Sequence, residues 1–234
     1  MSLLALERVT KRGRCGRRER LVLDDVTLRV EAGELVSVWG VPRSGRTTLL
    51  RVAAGLERPD SGAVHFAGRD LAEAPSGALG EGIGFAEPAL AIAGGQAILD
   101  SVALPLLARD VAPEEARSRA VKMLQRVGAE ACAALPACDL DAAELVRVAI
   151  AQALVVGPRM LIVDDLTRSV DLLEREPLLA LLRTIADDGV AVLMTTGEAL
   201  GVAGADRVLT IGNGVLRTEV VPAAAPVVRL RESG

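Results

Sequence analysis

The 234-residue sequence has no tyrosine, one tryptophan and two phenylalanines. A core built on aromatic packing is excluded, so leucine, valine, isoleucine and alanine must fill it, in a chain that is 50 % apolar. Lysine is nearly absent as well: Lys11 and Lys122 are the only two among 27 basic residues. That arginine bias weakens any inference from a single Lys→Arg exchange. The cysteines, Cys15, Cys132 and Cys138, are odd in number, lack metal-ligand spacing and have only the distant His65 for company. Neither a disulfide framework nor a Cys/His metal site is expected, and a reduced, cytoplasmic protein is the better reading. No stretch reads as a signal peptide or as a membrane-spanning run, so any membrane association is expected to come through a partner. The net charge of −4 gives no basic footprint, and nucleic acid is not expected as a partner.

What the sequence does have is Gly40-Val-Pro-Arg-Ser-Gly-Arg-Thr-Thr48. This matches the phosphate-binding frame G-x-x-x-x-G-K-[ST] at Gly40, Gly45 and Thr47, with Arg46 where the frame has lysine. Glu34–Trp39 before it is a short β-rich apolar run, and Leu49–Leu56 after it has helical spacing. A strand, a turn and a helix N-terminus aim backbone N–H groups and the positive end of a helix at an anion. The residues placed on that ligand are Gly40, Arg43, Ser44, Gly45, Arg46, Thr47 and Thr48. Trp39, next to Gly40, offers a fluorescence reporter.

Further along, Leu3–Val9 and Leu21–Val30 read as strands of an antiparallel sheet, and the basic stretch Lys11–Arg20 between them reads as a solvated hairpin loop in preference to a patch for anionic lipid or nucleotide phosphate. Gly62–Gly68 reads as another strand, in which His65 is structural. The region from Ala89 to Leu154 reads as mostly helical, with helices at Pro113–Val127, flanked by Gly128, and at Asp141–Val155. Arg159–Asp164, Ala191–Thr195 and Arg207–Ile211 read as buried strands. Strands alternating with helices predict an α/β fold with a mainly parallel sheet. The first of these strands ends in Asp164-Asp165, and an aspartate at the end of an apolar strand downstream of a phosphate loop can hold Mg²⁺ together with the loop hydroxyl, here Thr47.

Together these residues resemble the ATP-binding subunit of an ABC transporter, from Leu3 to about Glu219. Asp24–Glu34 is similar to the family's approach to the phosphate loop, and Gly55–Gly62 to the stretch that follows it. Leu140–Leu154 stands where the family has its LSGGQ-type signature and the helix after it. Ala205–Val208 and Gly212–Gly214 match the end of the fold, and Val102–Leu106 resembles the lipoprotein- and macrolide-exporter branch. The resemblance implies a P-loop NTPase (RecA-like) core, an N-terminal antiparallel β subdomain and an inserted helical subdomain at 88–154. The domain would span 1–220, with a flexible tail at 221–234. It implies ATP and Mg²⁺ as cofactors, a membrane permease as partner, and head-to-tail pairing in a homodimer or in a heterodimer with another ATPase chain. Localisation would be cytoplasmic, or peripheral at the inner face of the cell membrane through the permease.

Within that resemblance the chain departs from the family at several positions. No aromatic residue stands near Arg12–Gly13, where the family stacks adenine. Pro42 offers no N–H, and Arg43 is expected to resist the positive φ that a tight anion nest requires. Arg46 keeps the charge of lysine but not its shape. The glutamine that joins Mg²⁺ to the helical subdomain aligns with Pro88, with Glu87 beside it as a weaker metal candidate. Asp141, Ala142 and Ala143 replace Ser-Gly-Gly of the signature. Asp165 stands at the position of the catalytic glutamate, one methylene short, and Gly197 at that of the switch histidine. Asp171 and Arg147 are retained, either in a functional role or as an ordinary surface salt bridge. Asp141 reads either as the cap of its helix or as a carboxylate facing Arg43 or Arg46 of a second protomer. Three functions stay open: a pseudo-ATPase that binds nucleotide and serves a permease as a structural or regulatory subunit, a working ATPase energising export, and a soluble P-loop scaffold with no permease.

Overall fold

The computed structural model describes residues 2–15, 18–73, 82–87, 95–165, 170–198 and 202–218. Pro88 and the tail 221–234 lie outside them. The first sheet has the order β2-β1-β4-β5 and is antiparallel, from β1 (Leu4–Cys15), β2 (Arg18–Val30), β4 (Ser61–Phe66) and β5 (Arg69–Asp70). Lys11–Arg20 is therefore not a long solvated loop. Lys11 pairs with Leu23, Arg12 with Leu21 and Gly13 with Arg20, so the ladder runs almost to the hairpin tip. Charged side chains on an exposed face do not prevent backbone pairing, and Asp60 supports it by accepting from the Arg12 N–H at 2.6 Å and the Lys11 ammonium at 3.5 Å.

The second sheet has six strands in the order β10-β9-β3-β8-β7-β6. Its strands are β3 (Leu35–Trp39), β6 (Ile83–Ala86), β7 (Met160–Val163), β8 (Ala191–Thr196), β9 (Arg207–Gly212) and β10 (Val215–Thr218). All neighbours are parallel except β9 and β10. Sequence patterning misses β6, a four-residue strand too short to show a period. Residues alternate between two cores on the faces of this sheet. Leu161, Val163, Val192 and Met194 face α2 (Ile98–Leu107), α3 (Pro113–Val127), α4 (Ala142–Leu154) and α5 (Leu172–Asp187). Met160, Ile162, Val36, Val38 and Leu193 join the antiparallel sheet and α1 (Arg46–Ala53).

Helix punctuation matches the residues. Helix α3 starts with Pro113 in its first turn and ends on Gly128 at φ 69, a left-handed position that suits glycine. Helix α4 begins with a capping box in which Asp141 accepts from the Glu144 N–H at 2.8 Å and the Asp141 N–H donates to Glu144 at 2.9 Å. Burial pushes the Cys132 thiol up to about 11, so it stays protonated inside the helical core. Among the described residues no helix is long and apolar enough to cross a membrane.

Candidate functional site

The parallel strands β3, β7 and β8 end at one edge, and the loop Gly40–Thr48 sits over it. Gly40 is required there: a Cβ would meet Ser44 Oγ at 2.6 Å and the Ile211 carbonyl at 2.7 Å. Gly45 is required twice over, by its φ of 110 and because a Cβ would meet the Val22 carbonyl at 2.6 Å. The loop is anchored at both ends, by the Gly40 N–H on the Thr196 carbonyl at 3.1 Å and by the Gly214 N–H on the Ser44 carbonyl at 3.0 Å. Arg43 does not resist the left-handed region as expected, since it stands at φ 67. The anchored loop imposes that conformation on a residue whose Cβ disfavours it.

Helix α1 begins at Arg46, so the N–H groups of its first turn have no carbonyl within the helix to bond. They open into a cleft of about 680 Å³ lined by the loop residues Pro42, Arg43, Gly45, Arg46, Thr47 and Thr48, by Arg20 and Val22 of β2, and by Asp164, Asp165, Gly197 and Glu198. The cleft thus gathers Thr47 and Asp164, the expected magnesium pair, with Asp165 and Gly197. Glu87 and Trp39 are outside its lining, Glu87 half-buried just after β6 and Trp39 37 % exposed at the end of β3. Asp141, Ala142 and Ala143 are also outside it, at the N-terminus of α4.

The charge arrangement within the cleft is the decisive detail. Arg46 Nη2 donates to Asp165 Oδ2 at 3.0 Å, in a pair whose side chains are 11 % and 19 % exposed. A cation in the first turn of a helix opposes the helix dipole, and the carboxylate offsets it. The guanidinium lies against Gly197, where a Cβ would be only 3.1 Å from Nη1 and 3.5 Å from Nη2. Nη1 itself is buried with no hydrogen-bond partner. Arg46, Asp165 and Gly197, three separate departures in the sequence, are therefore one contact. Glu198 does not add a free charge, being ion-paired with Arg175.

Asp164 is held by a residue that motif reading missed. The Thr195 hydroxyl, fully buried at the end of β8, donates to Asp164 Oδ1 at 2.7 Å and accepts from the Asp165 N–H at 3.1 Å. A hydroxyl closing an otherwise apolar strand is the only sequence signal for it. Arg147 does not reach Asp171. It donates to the Val127 carbonyl at 2.8 Å and lies 3.8 Å from Glu174, one turn into α5.

The donor set fits a nucleotide's phosphates: free first-turn N–H groups, a loop with left-handed positions at Arg43 and Gly45, and the buried Ser44 Oγ with no partner. It also fits Mg²⁺, which is held by one or two carboxylates plus substrate oxygens rather than by an all-protein cage. Among the described residues there is no group of three or more His, Cys, Asp and Glu side chains that could hold a metal.

A family profile described as ABC transporter matches residues 23–168. The chain belongs to the ABC transporter family. It is an ABC transporter ATP-binding subunit, with relatives that match over nearly its whole length. It is 37 % identical over 219 residues to the lipoprotein-releasing system ATP-binding protein LolD of Chromohalobacter salexigens, covering 92 % of each chain. It is 31 % identical to the ABC transporter ATP-binding protein YvrO of Bacillus subtilis, covering 92 % of this chain and 95 % of that one. It is 30 % identical to the macrolide export ATP-binding/permease protein MacB of Salmonella choleraesuis, of which it spans 34 %. Among solved structures, the dimeric, ADP- and phosphate-bound ATP-binding cassette MJ0796 superposes with a TM-score of 0.82 at 26 % identity, over 92 % of this chain and 98 % of that one. The ABC fold expected from the sequence is thereby shown: a P-loop core with a mostly parallel sheet, an antiparallel N-terminal sheet and helices.

Proposed function

We propose that this ABC subunit binds Mg-ATP weakly, hydrolyses it very slowly or not at all, and serves a membrane permease as a nucleotide-binding, structural or regulatory partner. The observation that carries the reading is the Arg46–Asp165 ion pair against Gly197. The loop's cation and the carboxylate at the catalytic position neutralise each other, and the side chain of the switch position is gone. The Arg46 guanidinium holds the Asp165 carboxylate by Oδ2, and a displacement of 1 Å from working geometry costs about a hundredfold in rate. Binding is better preserved than turnover, because Gly40, Ser44, Gly45, Thr47, Thr48 and Asp164 keep their places. When bound, Mg²⁺ would neutralise phosphate charge between Thr47 and Asp164.

The reading extends to the chain's assembly. The domain runs from 1 to 220, with the helical subdomain at 88–154, and pairs head to tail with a second copy or another ATPase chain. Asp141, Ala142 and Ala143 then face the partner's phosphate loop. The names of LolD and MacB favour an export-type permease, through which the chain would sit at the inner face of the cell membrane. Calorimetric titration with Mg-ATP tests the binding half of the reading. Saturation in the high-micromolar to millimolar range is the expected outcome, and no heat at millimolar nucleotide would contradict it.

A further inference from the structure

Two aspartates follow one another after β7, and both line the cleft. Their side chains are engaged differently. Asp165 is on Arg46, whereas Asp164 has its Oδ1 on the Thr195 hydroxyl. That hydroxyl has one proton with a fixed destination. A carboxylate only accepts, so Thr195 donates to Asp164 at 2.7 Å, and an N–H only donates, so Thr195 accepts from Asp165 at 3.1 Å. Thr195 is fully buried, and turning its hydroxyl away would leave polar groups unmatched. Asp165 stands in the left-handed region at φ 44, which its Cβ disfavours, and the bond from its N–H helps to hold it there. The hydroxyl is carried by β8, which has β3 on one side and β7 on the other, so it sits on a rigid element. Asp164 is thereby held at Oδ1, and Oδ2 is left for a cation.

We infer that Thr195 is a positioning residue for the divalent cation: it presents Asp164 to the metal and so sets how strongly nucleotide binding depends on Mg²⁺. The inference rests on the nucleotide-binding reading above and concerns the metal half of that ligand. A hydrogen bond to a metal-holding carboxylate fixes its orientation, and losing such a bond costs about 10- to 100-fold in metal affinity. Thr195 does not reach the metal itself in this role. It acts through Asp164, so its effect disappears when that carboxylate is removed.

The test is calorimetric titration of the full chain with ATP, once with Mg²⁺ and once with EDTA, comparing the unaltered protein with Thr195→Val and Thr195→Ser. The unaltered chain binds the metal complex more tightly than metal-free ATP. Thr195→Val, which keeps the shape and removes the hydroxyl, weakens the metal complex by about tenfold and leaves metal-free ATP within about twofold. Thr195→Ser restores the preference for the metal complex, and in an Asp164→Ala background Thr195→Val changes that preference no further. Where Thr195→Val does not fold, Thr195→Ala against Thr195→Ser makes the same comparison, since those two differ only by the hydroxyl. Equal weakening of both forms, no weakening of either, or a further loss of the preference once Asp164 is gone would each overturn the assignment. If the unaltered chain binds ATP equally with and without Mg²⁺, the assignment also falls while the phosphate-loop reading stands. Binding of neither form at millimolar concentration overturns both.

Discussion

Arg46 stands at the first position of a helix, with one nitrogen on Asp165, another unbonded, and Gly197 beneath it. Each of the three residues could be read from the sequence as a departure from the family. That they touch could not, because Arg46 and Asp165 are 119 residues apart in the chain and no local pattern links them. The pair is mostly buried, and removing one partner of a buried ion pair leaves an uncompensated charge. Asp165→Ala should therefore destabilise the protein by about 3 kcal/mol, whereas Arg46→Met combined with Asp165→Leu should be close to neutral. Urea unfolding of the three variants measures both. Gly197 is constrained by the same guanidinium. Gly197→Ala should cost about 1 kcal/mol in the unaltered chain and measurably less in an Arg46→Ala background, a coupling that a double-mutant cycle reads. Additive effects would mean that residue 197 is glycine for some other reason.

At the scale of elements, the punctuation of α3 and α4 was legible because it is written at the helix ends themselves: Pro113, Gly128 and Asp141 as a cap. The cap accounts for Asp141 within its own chain, and Asp141→Ala should cost about 1 kcal/mol in thermal unfolding. The hairpin β1–β2 was less legible, since charge density suggested a loop and only long-range pairing reveals a ladder. Asp60 and Asp206 pin such pairings. The Arg12 N–H holds the Asp60 carboxyl below the usual carboxylate range. For Asp206 burial acts in the opposite direction, but the Leu35 N–H and Arg183 outweigh it and the carboxyl again lies low. A carboxylate lowered in the folded state contributes stability above the unfolded value of about 3.9, and that contribution is lost as pH falls through the folded value. Asp206→Asn should therefore lower stability at neutral pH and flatten its decline below about pH 4. Parallel shifts of the whole pH profile would contradict this.

At the scale of the whole molecule, the parallel sheet brings the ends of β3, β7 and β8 to one edge, so the retained and the altered residues of the nucleotide site share a single cleft. The fold and its family were legible because the motif Gly40–Thr48, the strand ending in Asp164 and the alternation of strands and helices are all repeated at their proper separations. The use of the cleft was not, because it depends on which charge meets which: Arg46 meets Asp165, Thr195 orients Asp164, and Arg147 meets Glu174 rather than Asp171. The central claim is that the fold is kept while the cation and carboxylate needed for turnover are spent on each other. Its most direct test is steady-state phosphate release from Mg-ATP by the purified chain, with the Asp164→Ala variant as the blank. The account predicts a rate for the unaltered chain at or barely above that of the blank. A family-typical, Mg²⁺-dependent turnover that Asp164→Ala abolishes would contradict it.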